Sequence, residues 1–525
     1  MNLTALLQER ARLHPERVAL VDSRHGRDRA VTFGELSRRV AAGAGALHGM
    51  GLRRGQVVMV FQPVSFELYE FLLAAFHSGI RVMLADPSAG REFLTHCCDR
   101  LAPDAFFGSW KAQCLRLAVP ALRRIGKAIV TGPWFPGARR WLTDQGNIPM
   151  ADVPDEEPAL ITFTSGGTGK PKAAVRTHGF LLAQHRELSQ SLGFEDGETD
   201  LITLPVFVLA NLASGLTSVI AATDLAHPGT PDAQSIREQC KRWHVTRCTA
   251  SPAFFEGLLK SPGNMPEFHK IFTGGAPVFP DLLRRLRAAL PDAAINAVYG
   301  STEAEPISHY SNDGIETDDI TRIGGGLCAG APVPSIQLKI ISDHWGESLG
   351  PMGMTELNHM EVTSGEAGEI IVSGDHVLGG YLDGVGDHET KIHVDGKVWH
   401  RTGDAGWLDA NGRLWLLGRC AAKLPAHPAP SGIPTCALHF PFAIECALRE
   451  KFPGLRTAAI EWRDKRTLVA GKPCDAHEEE TLRAETEKFG ISNVVFVDAL
   501  PLDRRHNAKI DYPALHAMLD RRMDR

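Results

Sequence analysis

Ile161-Thr162-Phe163-Thr164-Ser165-Gly166-Gly167-Thr168-Gly169-Lys170-Pro171-Lys172 begins as a strand, opens into a loop of glycines and hydroxyls, and closes on two lysines. Backbone amides freed by Gly, with Thr and Ser hydroxyls, can wrap phosphate oxygens, and the lysines add positive charge. It is not a Walker A loop, which needs Ser or Thr directly after its Lys, because Pro171 follows Lys170. A plain surface turn would explain the glycines but not so many phosphate-liking groups together.

Outward from this stretch the chain alternates strand and helix. Thr32-Phe33-Gly34-Glu35 has the capping-box form, in which Thr and Glu satisfy each other's orphan amides ahead of a helix of about 15 residues. Val57 to Phe61, Ser65 to Ser78 and Arg81 to Ala85 read as a βαβ unit. The pattern recurs as a strand at Leu201 to Leu204, a helix around Asn211 to Ile220, a strand at Val245 to Ala250 and a helix after Pro252. A strand at Lys270 to Thr273, a helix near Phe279 to Leu290 and a strand at Ala294 to Val298 complete it. Parallel strands need long crossovers, so the alternation predicts α/β sheets covered by helices, with ligands at the carboxyl ends of the strands. After Arg419 the texture changes to short strands (Thr457 to Trp462, Thr467 to Ala470, Asn493 to Val497) and two polar helices. We therefore expect a large N-terminal domain over residues 1–419 and a small α+β domain over 420–525 behind a hinge.

Composition narrows the function classes. With 43% hydrophobic and 22% charged residues in 525, the chain is globular and too long for one ordinary domain. A net charge of −6 gives no electrostatic case for coating nucleic acid or an anionic membrane. Without a signal-like start or a long apolar run, a cytoplasmic location and no transmembrane segment are expected. The ten cysteines form no CxxC pair and read as buried apolar residues.

Three further segments carry chemistry. Val298-Tyr299-Gly300-Ser301-Thr302-Glu303-Ala304-Glu305-Pro306 follows a strand and offers a ring for a base, a hydroxyl and a hard oxygen ligand suited to Mg2+. Taken alone it is a weak signal, because a Tyr-Gly turn after a strand is more often just a turn. Trp399 to Arg419 contains a hairpin turn at Asp409-Ala410-Asn411-Gly412, with Asp404 able to accept ribose hydroxyls and Arg419 able to bind sugar or phosphate. Pro501 to Ile510 presents Lys509 among surface charges, and composition alone gives it no role.

In this order and spacing, the four segments resemble the adenylate-forming superfamily of acyl-CoA synthetases, nonribosomal adenylation domains and luciferases, across essentially the whole chain. The resemblance implies the ANL adenylating-enzyme fold and activation of a carboxylic acid by ATP as acyl-AMP, with loss of pyrophosphate. It implies a phosphate loop at Thr164, Ser165, Gly166, Gly167, Thr168, Gly169 and Lys172, and an adenine strip at Gly274, Gly275, Ala276 and Pro277. The nucleotide would also meet Tyr299, Gly300, Ser301 and Thr302, with Asp404 and Arg419 on the ribose and Glu303 holding Mg2+. Lys509, brought in by domain rotation, would bridge carboxylate and α-phosphate oxygens; Lys509, Glu303, Thr302 and Lys172 are thus the expected catalytic group. Phe207, Leu209, Asn211, Leu212, Ser251 and Phe254 are candidates for the acid pocket, although core packing would place each of them as well.

Closer detail is similar to the OleC-type β-lactone synthetases of bacterial olefin biosynthesis: Arg505-His506-Asn507-Ala508-Lys509-Ile510, Ser251-Pro252-Ala253, and Ile307-Ser308 after Pro306. That resemblance implies a 2-alkyl-3-hydroxy fatty acid whose own hydroxyl displaces AMP, and pathway enzymes that supply the acid and decarboxylate the lactone. Leu204 to Val208 lacks the His that many thioester-forming relatives carry, and Cys420-Ala421-Ala422 stands where the hinge usually has Asp or Lys. Both departures weaken the alternative, an acyl- or aryl-CoA ligase or a carrier-protein-loading ligase, without eliminating it. Gly167 in place of Ser or Thr, and Ala173 in place of Gly, are departures within the phosphate loop itself.

Overall fold

The computed structural model of the chain describes residues 1–24, 26–141, 146–165, 171–311, 325–425, 438–472, 475–502 and 510–523, with nothing described for the side chains of 164, 165, 522 and 523. The parallel heart of the larger sheet runs Ala294–Ser301, Lys270–Gly274, Arg247–Ala250, Thr199–Ile202, Thr217–Ile220 and Val18–Arg24. Adjacent residues of these strands alternate between two apolar layers. Leu201 and Val219 face one, Ile202 and Ile220 the other, the period of a strand buried on both faces. Beyond Ala294–Ser301 the pairings turn antiparallel through Ala304–Ser311, Leu327–Pro332, Leu414–Arg419, Lys397–Leu408, Gly368–Ser373 and Gln337–Ile341. A second sheet of seven strands carries the expected βαβ unit, with Val57–Phe61 parallel to Arg81–Leu84 and the helix Phe66–His77 between them.

Local expectations hold with three corrections. The helix Phe33–Gly49 is capped by Thr32, whose hydroxyl accepts from the Glu35 amide at 3.2 Å. The reciprocal half of the capping box does not form, because Glu35 turns to Arg39 one turn on. The helix expected around Asn211 to Ile220 instead spans Val206–Ser214, and Thr217–Ile220 is a strand. Gly215, at φ +83, ends the helix in the left-handed region, and the β-branched Thr217, Val219 and Ile220 favour extension. After Arg419 there are three helices among the described residues rather than two: Pro441–Lys451, Ala476–Glu487 and Tyr512–Met523.

These pack on a separate sheet of Thr457–Trp462, Lys465–Gly471 and Asn493–Val497. One face buries Leu448, Leu468 and Leu482, the other Ile460, Val469, Leu515 and Leu519. The helix Pro441–Lys451 also meets the rest of the chain. Arg449 reaches Glu256 at 3.0 Å and Asp281 at 3.2 Å with its guanidinium over Phe279, and Glu450 accepts from Arg284 at 2.8 Å. No helix among the described residues is long and apolar enough to cross a membrane.

Candidate active site

Pro158–Ser165 and Pro171–Thr177 form an antiparallel hairpin whose last pairs are Thr164 with Lys172 and Ser165 with Pro171. Gly166, Gly167, Thr168 and Gly169 lie outside the described residues. Lys172 leaves the stem toward the segment 381–389. Its ammonium is 3.8 Å from the Glu389 carboxylate and 5.6 Å from the centre of the Tyr381 ring. A Cβ on Gly386 would stand 2.7 Å from Lys172 Cδ, so the close approach requires glycine there.

Tyr381 links Lys172 to Glu303. Its hydroxyl donates to Glu303 Oε1 at 2.7 Å, and Lys391 approaches the same ring at 5.5 Å. Lys391 is buried, donates to Leu378 O, and lies 3.2 Å from His400 Nδ1. Burial disfavours charge on Glu303, but the Tyr381 hydroxyl and Lys391 hold its carboxyl below the ordinary value. Burial, then Lys391, pushes His400 down to about 3, so at neutral pH it is uncharged. Burial lowers Lys391 itself to about 8, resisted by Glu303 and Asp387. The ionised Glu303 carboxylate is the hard oxygen donor that Mg2+ takes together with phosphate oxygens.

A second knot joins residues more than a hundred positions apart. Tyr299 OH donates to Asp404 Oδ2 at 2.7 Å, and Arg419 Nε lies 3.3 Å from Asp404 Oδ1. Asp404 and Arg419 are cross-strand partners in the hairpin built on Asp409-Ala410-Asn411-Gly412. Asp409 fixes that turn by accepting from the Asn411 and Arg413 amides, Arg413 Nε and Trp415 Nε1. Gly274 pairs with Val298, beside Tyr299, and a Cβ there would stand 2.7 Å from Val298 O. Gly275 follows at φ +77. Ala276 and Pro277 lead on to the helix Pro280–Ala289.

The acid-pocket candidates divide between the layers. Phe207 and Leu212 are buried in one apolar layer, with Leu209 packed against it, and Phe254 is buried in the other. Asn211 is fully buried and donates to Asp200, which also accepts from Thr249. Ser251 Oγ is buried without a hydrogen-bond partner in the described structure.

Sequence reasoning missed Tyr381, Lys391, His400 and two residues beside Thr302, the buried Arg176 and the half-buried Glu305. Arg176 donates to Thr162 Oγ1 and to Thr302 O, each at 3.1 Å, and its Nε has no partner in the described structure. The available signal was an Arg in the otherwise apolar run Ala173-Ala174-Val175. Glu305 packs against Gly300, where a Cβ would stand 3.1 Å from Glu305 Cγ. Burial, partly offset by Arg176, pushes Glu305 up to about 7 from 4.5. Between those values the folded state holds a proton that the unfolded chain has lost, so this group makes stability fall as pH rises. Glu305→Gln removes the effect. The wild type should lose stability relative to the variant from about pH 4.5 to about pH 7. Parallel melting-temperature profiles for the two proteins would show that Glu305 ionises normally.

The family described as AMP-binding enzyme matches residues 7–382. An olefin beta-lactone synthetase of Stenotrophomonas maltophilia is 30% identical, covering 97% of this chain and 96% of its own. A protein of the same description from Xanthomonas campestris pv. campestris is also 30% identical, over 97% and 96%. Among solved structures, the anthranilate CoA ligase AuaEII in complex with anthranoyl-AMP aligns at a TM-score of 0.80 and 17% identity, covering 100% of this chain and 98% of that one.

Proposed function

Because the chain belongs to the AMP-binding enzyme family of adenylate-forming enzymes, we propose that it activates a 2-alkyl-3-hydroxy fatty acid with ATP and then closes it to a β-lactone. The observation that carries the first step is the convergence of Tyr299, Asp404 and Arg419 in one knot, with Lys172 and Glu303 joined through Tyr381. The two olefin beta-lactone synthetase relatives support the second step.

In the proposed sequence an acid oxygen attacks the α-phosphorus of ATP, the bond to the bridging oxygen breaks, and pyrophosphate leaves. The 3-hydroxyl oxygen then attacks the acyl carbon and AMP departs as the hydroxyl proton is lost. The chain's residues chiefly position charge. Lys172 and the loop 164–169 hold the β and γ phosphates, Gly274 to Pro277 and Tyr299 the adenine, and Asp404 and Arg419 the ribose. Glu303 with phosphate oxygens would hold Mg2+, which when bound would supply positive charge beside the pyrophosphate oxygens. We place the boundary between the two working parts at Arg419, with residues 420–525 presenting Lys509. The 3-hydroxyl is already tethered to the acyl carbon, so its effective concentration is high and no external thiol is needed.

Purified protein with ATP, Mg2+ and a synthetic 2-alkyl-3-hydroxyalkanoate should yield the lactone and AMP, identified by mass spectrometry and NMR. Acyl-AMP or free acid as the sole product, or a thioester on adding CoA, would overturn the cyclisation and leave the adenylation standing. Asp404→Ala should weaken ATP binding by about 1.5–3 kcal/mol, the worth of hydrogen bonds to a charged group. An unchanged affinity by calorimetry would remove Asp404 from the ribose site.

A further inference from the structure

The net negative charge hides a local inversion. From Ala105 to Trp141 the sequence holds seven Lys and Arg and no Asp or Glu, in a chain of net charge −6. Three of the seven are engaged within the fold. Arg116 is buried against Gln113, Lys127 donates to Gly51 O, and Arg124 pairs with Asp99 at 3.6 Å. The other four, Lys111, Arg123, Arg139 and Arg140, are exposed, and none has an ion-pair partner among the described residues.

Large apolar side chains stand out of the same region: Trp110 is 48% exposed, Leu117 46% and Trp134 64%. Trp110 and Leu117 lie two turns apart on one stripe of the helix Trp110–Ala118, whose Ala112, Gln113 and Arg116 are buried. The Trp110 ring meets Phe135 edge-on at 5.4 Å, tying the helix to the loop that presents Trp134. Arg139–Arg140 is an edge strand with Lys127–Val130 as its neighbour, so its two side chains sit beside that loop.

The location is specific. Ala105–Gly108, Lys127–Val130 and Pro158–Ser165 belong to one parallel set. The helix after Gly108, the loop after Val130 and the phosphate hairpin therefore leave the same edge of the sheet. Three strand spacings, about 15 Å, separate the Gly108 exit from the hairpin.

We propose that this rim docks on an anionic lipid membrane, with Trp110, Leu117 and Trp134 among the headgroups and Lys111, Arg139 and Arg140 over their phosphates. The core of a protein–protein interface is depleted of charge, whereas here apolar tips alternate with unpaired cations. Trp at the boundary with basic residues around it is the pattern of an interfacial anchor. The chain's overall negative charge does not oppose the contact, because salt screens charges beyond about 10 Å. A poorly soluble acid would then leave the bilayer on the rim that carries the phosphate hairpin. That consequence rests on the proposed substrate; the docking itself does not.

The test is co-sedimentation of the full chain with phosphatidylcholine vesicles, with and without an equal share of phosphatidylglycerol. The wild type should bind the anionic vesicles, with a blue shift of Trp emission and release at high salt. Trp134→Ser and the double change Arg139→Glu with Arg140→Glu should each lower partitioning about tenfold or more while adenylation of a short soluble acid is unchanged. Absence of binding to anionic vesicles, or equal binding to neutral ones, overturns the proposal. So does a change in oligomeric state in the charge-reversed protein without any vesicle binding by the wild type, which would assign the face to a second copy of the chain.

Discussion

Lys509→Ala should reduce acyl-adenylate formation by at least about 10²- to 10³-fold while ATP still binds, the signature of a group that acts on charge developing in the transition state. Lys509 lies outside the described residues, but its neighbours bracket it. Leu502 and Ile510 form an antiparallel bridge, and the Asp511 amide donates to Pro501 O at 3.0 Å, so the residues flanking 503–509 are paired with one another. Tyr512 then donates to Glu445 at 2.9 Å, and Glu445 accepts from the Ala459 amide, tying this pairing to the C-terminal sheet. The measurement is ATP–pyrophosphate exchange alongside nucleotide binding by calorimetry. Exchange at the wild-type rate would remove Lys509 from the chemistry, and a parallel loss of ATP affinity would make it a binding residue.

The largest structural effect is expected at Arg401. Its Nε and Nη2 donate to the two oxygens of Glu369, each at 2.7 Å, and both side chains are fully buried. Nη1 donates to Glu347 O and Nη2 also to His344 O, while Trp345 lies against the guanidinium. Arg401→Met leaves the Glu369 carboxylate buried without its cation and should cost about 3–5 kcal/mol. Adding Glu369→Leu removes the stranded charge and should restore most of that stability. A double variant no more stable than Arg401→Met, by denaturant unfolding, would show that packing rather than charge dominates. Arg401 sits on the strand of Asp404, so the single variant should also lose ATP affinity.

Sequence legibility follows from the physics of each element. Val57–Phe61 and Lys270–Gly274 are short apolar runs buried on both faces, and such runs declare themselves. Val206–Ser214 was misplaced because it is apolar almost throughout and so gives no helical period; only Gly215 marks its end. Tyr299, Asp404 and Arg419 stood out as candidates because each lies in a motif rich in Gly and polar residues, although Tyr299 and Asp404 fall within strands and only Arg419 ends one. Tyr381, Lys391, Arg176 and Glu305 did not. Tyr381, Lys391 and Arg176 are single polar residues in unremarkable segments, and Glu305 is a member of the Tyr299 motif with no role evident from the motif. The meaning of such residues arises from partners far along the chain, such as Glu303, 78 positions from Tyr381, and Thr302, 126 positions from Arg176.

The hairpin of Pro158–Ser165 with Pro171–Thr177 acts as a ruler. Lys172 points to Tyr381 and Glu389, whereas its neighbour Ala173 is fully buried in the apolar layer beneath. A slip of one residue in this pairing would exchange them, driving an ammonium into the core and presenting a methyl where the charge belongs. The paired stem therefore sets the reading frame of the loop. An insertion or deletion inside the stem would carry Lys172 away from Tyr381 and Glu389 without altering its chemistry.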